Sequence, residues 1–215
     1  MLANQSTSEV VAETLRNEIT YGRIAPGSAL RQEELAERFA VSRIPIREAL
    51  RELERDGLVR VLPNRGAFVV RLSADEILEI TNLRILIERD LVAHAVLSCD
   101  ARNLQAIKEA ERTARRLAGS AEWIDADRAF HRTLYSPAGR PRQLALAMSL
   151  RRELERYQSI YSRLPDERKT WLADHRQIVE AFSSGRTKEA CKLIERHVRA
   201  AGVFLADKAA RCEST

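Results

Sequence analysis

Residues 41–58 form the segment that most constrains what this 215-residue chain can fold into. Ser42 is a good residue to begin a helix, Pro45 falls in the first turn, and Gly57 suits the left-handed position that ends a helix. Between them, apolar residues recur at the spacing of one helix face: Ile46, Ala49, Leu50 and Leu53. The segment is therefore predicted to be an amphipathic helix with one side on a hydrophobic core.

The other side of this helix is basic. Arg43, Arg47 and Arg51 are spaced four residues apart, so they lie on one face near the helix start. Such a helix suits the major groove of DNA, although an ordinary surface helix could carry the same charges. Residues 38–71 contain eight arginines and four acidic residues, whereas residues 1–75 as a whole are neutral. The local charge supports a DNA contact; the total net charge of +5 does not.

Two shorter elements precede the basic helix. Residues 8–22 carry apolar side chains at helical spacing, and Pro26-Gly27 marks a turn over residues 24–30. A second short helix is predicted from Gln32 to Ala40. Two short helices joined by a tight turn, the second of them basic, form a helix-turn-helix.

Beyond Gly57 the apolar pattern changes from helical to alternating. Strands are predicted at residues 58–61 and 67–70, around a loop whose tip carries Arg65 beside Gly66. A helix-turn-helix followed by a hairpin is a winged helix. A wing with this basic tip could reach a minor groove or the phosphates.

These motifs resemble the DNA-binding domain of GntR-family transcription regulators over about 65 residues. The matching segments are Pro26-Gly27, Leu35-Ala36, Val41–Leu50, Leu53, Gly57-Leu58 and Pro63–Ala67. In that family the recognition helix reads the major groove of an operator. The resemblance implies a set of DNA-binding residues on the recognition helix, the wing and the preceding turn: Arg31, Ser42, Arg43, Pro45, Arg47, Arg51, Asn64, Arg65 and Gly66.

The sequence departs from the family pattern at two positions. Ala40 stands where a glycine is usual in the turn, which reduces the backbone freedom of that turn. Glu33 stands where some members carry a DNA-contacting arginine, so Arg31 becomes the substitute candidate.

From Ser73 the chain is predicted to be helical to its end. Ser73 and Glu76 form a capping box that opens a helix to about residue 98. Five more helices are predicted at about 100–118, 120–137, 141–164, 166–184 and 187–211. Short links between six helices predict an all-α bundle. The predicted fold is mainly α, with a winged helix-turn-helix over residues 1–72 and a six-helix bundle over 73–215.

The bundle contains a constellation of possible metal ligands. Asp127 and His131 are four residues apart, so both side chains leave the same helix face, while His175 and His197 lie on later helices. Three imidazoles and one carboxylate could hold a divalent transition metal. By spacing alone, a surface Asp–His pair and structural histidines explain these residues more often.

This half resembles the FCD effector domain of FadR-like GntR regulators, in its shorter six-helix form. The resemblance rests on Asp127–His131, Asp174-His175, Ala181-Phe182, Gly185, Ala190 and His197, in that order. It implies that Asp127, His131, His175 and His197 bind a divalent metal. Zinc is the first expectation, and nickel and manganese are the alternatives. The remaining coordination positions would go to water or to an effector carboxylate. His94 lies outside the pattern and is interpreted as a structural or surface residue.

Arg84 is the second candidate in this half. A buried arginine can pair bidentately with a carboxylate, and the family often places an effector-contacting arginine here. The alternative is a salt bridge to Glu88. Tyr157 and Tyr161 could line the same pocket, or they could serve core or interface packing.

Taken together, the sequence predicts a metabolite-responsive repressor, acting as a homodimer on a palindromic double-stranded operator, with an organic acid as effector. Three distant cysteines, Cys99, Cys191 and Cys212, and the lack of a signal peptide or membrane span indicate the cytoplasm. An enzyme is not expected. Two other classes fit the residues: a metalloenzyme fused to a DNA-binding domain, and a dimerisation bundle without a ligand.

Overall fold

The computed structural model describes residues 6–63, 65–120, 122–161 and 165–213; within these ranges, the side chains of residues 156–161, 165–168, 212 and 213 are not described. The chain forms two compact units. The first comprises Met1–Arg71 and Glu155–Ser159, and the second comprises Leu72–Leu154 and Ile160–Thr215.

The first unit is a winged helix-turn-helix. Its helices are α1 (Thr7–Thr20), α2 (Gln32–Phe39) and α3 (Arg43–Arg55), and its strands are β1 (Ala29–Leu30), β2 (Val59–Leu62) and β3 (Gly66–Val69). The three strands form an antiparallel sheet in the order β1-β3-β2. Strand β1 is missing from the sequence prediction, which has only a turn there. A two-residue strand is too short to show alternation, and it forms because Ala29 pairs with Phe68 of β3.

Local backbone features follow the sequence closely in this unit. Ser6 and Glu9 form a capping box at the start of α1, and Gly57 takes the predicted left-handed conformation with φ of 70°. Ala40 takes a left-handed conformation with φ of 53°, so an alanine fills the position where the family pattern has glycine. The predicted side-chain cap by Ser42 is wrong. Ser42 is the N-cap residue of α3, but its exposed hydroxyl makes no capping hydrogen bond and can be hydrated instead.

The core of the first unit fixes the orientation of α3. The predicted apolar face of α3 is buried in one cluster with side chains of α1 and the sheet, including Leu15, Ile19, Ile46, Leu50, Leu53, Val59 and Val69. Arg16 of α1 reaches across to α3, where it donates to Glu52 at 2.7 Å and to Asp56 at 2.8 Å. Apolar burial and this ion pair together hold α3 with its arginines facing outward.

The second unit is the predicted helical bundle. Its helices are α4 (Ala74–Ser98), α5 (Ala101–Arg116), α6 (Trp123–Tyr135), α7 (Pro141–Tyr161, of which Glu155–Ser159 group with the first unit), α8 (Pro165–Ser183) and α9 (Thr187–Glu213), with a 3₁₀ turn at Ser136–Ala138. Ser73 and Glu76 form the capping box at α4, and Asp100 caps α5. The helix predicted to start at about residue 120, with Ser120 as its cap, instead starts at Trp123 as α6, and Ser120 accepts a hydrogen bond from the Glu122 amide in the preceding turn.

Close packing of α4 on α9 frames the interior of this bundle. Gly202 of α9 faces Thr81 of α4 so closely that an added Cβ atom would lie 2.2 Å from the Thr81 hydroxyl oxygen. Helix α6 packs on α5 and α4, and α8 packs on α9 and α5. The inner faces of α6, α8 and α9 therefore share one core, which holds Phe130, Ile178 and Ile194. Among the helices that the structure describes, none has the length and apolar character needed to cross a membrane.

Candidate DNA-binding surface and metal site

Helix α3 separates an apolar face from a basic face, as its sequence predicts. Ile46 and Leu50 are buried, whereas Arg43, Arg47 and Arg51 are exposed. The side chain of Arg43 is 67% exposed. A helix with this arrangement can lay several guanidinium groups along a DNA groove.

Acidic residues in the first turn of α2 pair with two of the predicted DNA-binding arginines. Arg43 Nη2 lies 2.9 Å from Glu33 Oε1, and Arg31 Nη1 lies 3.0 Å from Glu34 Oε1. All four side chains are well exposed, and pairs of this kind contribute only about 0–1 kcal/mol. Such weak pairs leave both arginines available to phosphates or bases.

The wing is tied to α3 by a side chain. Glu54 of α3 accepts a hydrogen bond of 2.8 Å from the backbone N–H of Val61 in β2. At the tip, Arg65 and Gly66 are exposed, and Gly66 has φ of 93°, which favours glycine. Asn64 lies outside the described residues.

The four predicted metal ligands come together inside the second unit. Helix α6 supplies Asp127 and His131 one turn apart, while α8 supplies His175 and α9 supplies His197. His175 Nε2 lies 3.4 Å from His197 Nε2 and 3.5 Å from Asp127 Oδ1, and His131 Nε2 lies 3.7 Å from the same carboxylate oxygen. The ligand atoms of the three histidines lie within 4.8 Å of one another, and Asp127 lies beside His131 and His175. Donors about 2.1 Å from one tetrahedral ion are about 3.4 Å apart, so a modest closing of the three histidines would let them hold a single metal.

A buried nitrogen gives an independent test of this fit. His131 Nε2 is shielded from solvent and has no hydrogen-bond partner in the part of the chain that the structure describes. An unsatisfied buried polar atom costs about 1–3 kcal/mol. A metal ion bound to Nε2 would remove that cost, so the residues present fit a divalent transition metal.

The surroundings keep His131 and His175 neutral, the form that binds metals. Burial lowers the pKa of His131 and of His175 well below the usual histidine value, and the nearby Arg151 guanidinium lowers both further. Phe130 packs against both rings, with centroid separations of 5.0 Å from His131 and 4.4 Å from His175. A neutral imidazole leaves a lone pair on one nitrogen for the ion.

Two further residues lie at this site: Arg151, which is not among the residues predicted from sequence, and Asp174, which is predicted only as part of the family pattern. Arg151 of α7 is buried and donates to Asp127 Oδ2 at 2.8 Å. Its place on the apolar face of α7, next to buried Leu150 and Leu154, is the sequence signal that could have found it. Asp174, adjacent to His175 in sequence, instead has its Oδ2 3.5 Å from His197 Nδ1.

Asp174 is held ionised by its neighbours. Burial alone would raise the pKa of this carboxyl, but the nearby His197 imidazole and a hydrogen bond from Arg196 outweigh burial and lower the pKa below its usual value. Arg196 donates to Asp174 at 2.6 Å. A carboxylate next to Nδ1 of His197 favours a proton on that nitrogen and leaves Nε2 for the metal.

The structure pairs Arg84 with Glu88, which is the alternative considered from sequence. Arg84 is buried and its Nε donates to Glu88 Oε1 at 2.8 Å. Tyr157 and Tyr161 fall among the residues whose side chains are not described. His94 is partly exposed, with its Nε2 2.7 Å from Arg140 Nη2, which agrees with a surface role.

Comparison with known proteins assigns both units. Residues 7–69 match the family described as bacterial regulatory proteins, gntR family, and residues 79–200 match the FCD domain. An uncharacterized HTH-type transcriptional regulator of Bacillus subtilis (strain 168), YdhC, is 31% identical over 83% of this chain and 81% of its own length. The gluconate operon transcriptional repressor of the same organism is 40% identical over 40% of this chain and 35% of that protein.

A solved structure agrees in fold. E. coli McbR/YncC has a TM-score of 0.80 to this chain and covers 95% of it and 99% of its own length, at 20% sequence identity. The family and its relatives are transcription regulators, not enzymes. The chain therefore belongs to the gntR family of bacterial regulatory proteins, as a transcription regulator with an FCD domain after its DNA-binding helices.

Proposed function

We propose that this regulator is a repressor whose operator binding is modulated by a small carboxylate metabolite bound near a metal. In this proposal residues 1–72 form the DNA-binding domain, and residues 73–215 form the domain for effector binding and dimerisation. The observation that carries it is the convergence of Asp127, His131, His175 and His197 within the FCD region. The repressor assignment is supported by the name of the gluconate operon repressor among its relatives.

The DNA contact is proposed to centre on the recognition helix. Arg43 and Arg47 would read bases or phosphates, since arginine can bond bidentately to guanine in the major groove. Arg65 and Gly66 at the wing tip would contact the backbone or the minor groove. Positions around these groups would complete the surface: Arg31, Ser42, Pro45, Arg51 and Asn64.

The metal is proposed to be zinc first, because imidazole nitrogens and carboxylate oxygens are its usual ligands and zinc can expand to a fifth ligand, the position proposed for the effector. Nickel or manganese would also suit nitrogen and oxygen donors. When bound, the metal would act as a Lewis acid that attracts the effector carboxylate. Arg84, now bonded to Glu88, would share its guanidinium with that carboxylate. Tyr157 and Tyr161 are proposed to line the same pocket.

A homodimer on a palindromic operator follows from the size of the reading surface. One recognition helix contacts few base pairs, so two copies related by a two-fold axis supply the affinity and specificity. Exposed leucines on α4, namely Leu78, Leu83, Leu86 and Leu97, offer apolar surface for such pairing. Because operator DNA is the proposed partner, the protein is proposed to act in the bacterial cytoplasm.

Selection of binding sites from random double-stranded DNA tests this function. The expected result is an enriched inverted repeat bound by two chains, with binding weakened by one or more of a panel of small carboxylic acids only when metal is present. Selection of no sequence, or a response to acids that persists after chelation, would contradict the proposal.

A further inference from the structure

Tyr135 lies between a histidine of the metal site and a fully buried carboxylate. Its hydroxyl oxygen is 3.1 Å from His131 Nδ1, and its O–H donates to Glu88 Oε2. Tyr135, His131 and Glu88 are each 0% exposed. No role in metal binding follows from the sequence positions of Tyr135 or Glu88, because the contact joins α4 to α6 across 47 residues.

The charges around Glu88 determine where the protons lie. Arg84 Nε is 2.8 Å from Glu88 Oε1, and Arg151 Nη1 is 3.6 Å from Oε2, so two guanidinium groups keep this carboxylate ionised. An ionised carboxylate only accepts hydrogen bonds. The single hydroxyl proton of Tyr135 is therefore committed to Glu88.

Because the Tyr135 hydroxyl donates its proton to Glu88, the tautomer of His131 is fixed as well. A phenol oxygen whose proton points at Glu88 can only accept from a second neighbour. His131 must then carry its proton on Nδ1 and donate it to Tyr135. The lone pair is left on Nε2, the nitrogen that faces Asp127 and has no partner among the residues whose side chains are described.

We propose that Tyr135 and Glu88 are positioning residues of the metal site, which hold His131 in the tautomer and ring orientation that present Nε2 to a divalent metal. This inference rests on the metal site of the proposed function. His175 is different, because its Nδ1 has no hydrogen-bond partner in the described part of the chain. Tyr135 thus orients His131, as Asp174 orients His197, whereas His175 has no such partner among the described residues. Outer partners of this kind change metal affinity by about 10- to 100-fold.

Replacement of one hydroxyl tests the inference. Tyr135→Phe in the full-length protein removes the acceptor for His131 and keeps the ring. Zinc affinity, measured by competition with a chromogenic chelator, is expected to weaken by about 10- to 100-fold. Tyr21→Phe makes the same chemical change in the winged-helix unit and is expected to leave zinc affinity unchanged.

A second measurement, the tautomer of His131 in the wild-type protein, does not require Tyr135→Phe to fold. Imidazole ¹⁵N spectra of the metal-free wild-type protein are expected to show His131 protonated on Nδ1, and Tyr135→Phe is expected to lose that single tautomer. A proton on Nε2 in the wild type would overturn the inference, as would equal zinc affinity in a folded Tyr135→Phe protein. If the wild type binds zinc and folded Tyr135→Phe binds it equally well, the positioning role fails while the metal site stands. A wild type that binds no zinc overturns both.

Discussion

The Nε2 atoms of His175 and His197 lie 3.4 Å apart in the interior of the helical unit, although the two residues are 22 positions apart on different helices. Two imidazolium cations could not share this space, because their charges would repel in a buried site. With neutral rings, either one nitrogen donates to the other or both lone pairs bind one cation. In the second arrangement the cation would also bind His131 Nε2, a buried nitrogen without a hydrogen-bond partner among the described residues.

The depressed histidine pKa values predict how the metal-free protein responds to acid. The folded-state pKa of His131 and of His175 lies below the unfolded value, so between these values the unfolded chain binds more protons. The contribution to stability is complete above about pH 6.5 and decreases as pH falls below it. Urea unfolding in the presence of chelator is expected to give a lower free energy of unfolding at pH 5.5 than at pH 7.5. His131→Gln should reduce this difference, and equal stability at both pH values would contradict the account.

Arg43 and Arg47 are expected to supply most of the sequence-specific contact. Changing either to Ala removes a group that can contribute about 1–3 kcal/mol to base discrimination, so operator affinity should fall by about tenfold or more. Circular dichroism and sedimentation should show an unchanged fold and association state, since both side chains are exposed. Arg112→Ala, an exposed arginine of α5, serves as the control. If both Ala variants bind operator DNA in a gel shift as tightly as the wild type does, neither arginine contributes to DNA recognition.

Glu33 is expected to weaken DNA binding, because its carboxylate pairs with Arg43 at the start of the recognition helix. Glu33→Gln removes one negative charge beside the phosphates and frees the guanidinium. Since an exposed pair contributes about 0.2–1 kcal/mol, operator affinity should rise by up to about fivefold at low salt, and less at high salt. Glu37→Gln, an exposed acid further along α2, should have a smaller effect. A fall in affinity for Glu33→Gln would show that its pairing instead prepares Arg43 for binding.

Arg16 is expected to be important for the stability of the winged helix. Its guanidinium joins α1 to Glu52 of α3 and to Asp56 at the end of that helix, while only 19% of the side chain is exposed. Arg16→Ala leaves two partly buried carboxylates without this partner and should cost about 1–3 kcal/mol in the free energy of unfolding. Arg31→Ala breaks only the exposed pair with Glu34 and should change stability by less than about 0.5 kcal/mol. Similar losses in the two variants would contradict the assignment.

The fold class could be predicted from sequence because its signals are local. The apolar period of α3, the change to alternation after Gly57 and the capping box at Ser73 each lie within a few residues. Strand β1 could not be predicted, since two residues carry no pattern and its pairing with β3 depends on the assembled unit.

The candidate sites depend on contacts between distant residues, so the sequence indicates them only in part. Residue order and the FCD resemblance indicate Asp127, His131, His175 and His197, and these four ligands remain a prediction. The burial of Arg151 and the contact of Tyr135 with Glu88 arise from helix packing, which no spacing rule encodes. For Arg84, the sequence alone does not decide between an effector contact and a salt bridge to Glu88, and the structure shows the salt bridge.

The most direct test of this account is the metal content of the full-length protein. After chelation, reloading with zinc, nickel or manganese and removal of excess ion, elemental analysis is expected to find one metal ion per wild-type chain. His131→Ala and His175→Ala should each reduce this content to the background level while circular dichroism shows a folded helical protein. A wild-type chain that takes up none of the three metals, or a folded His175→Ala variant that takes up as much as the wild type, would contradict the metal site.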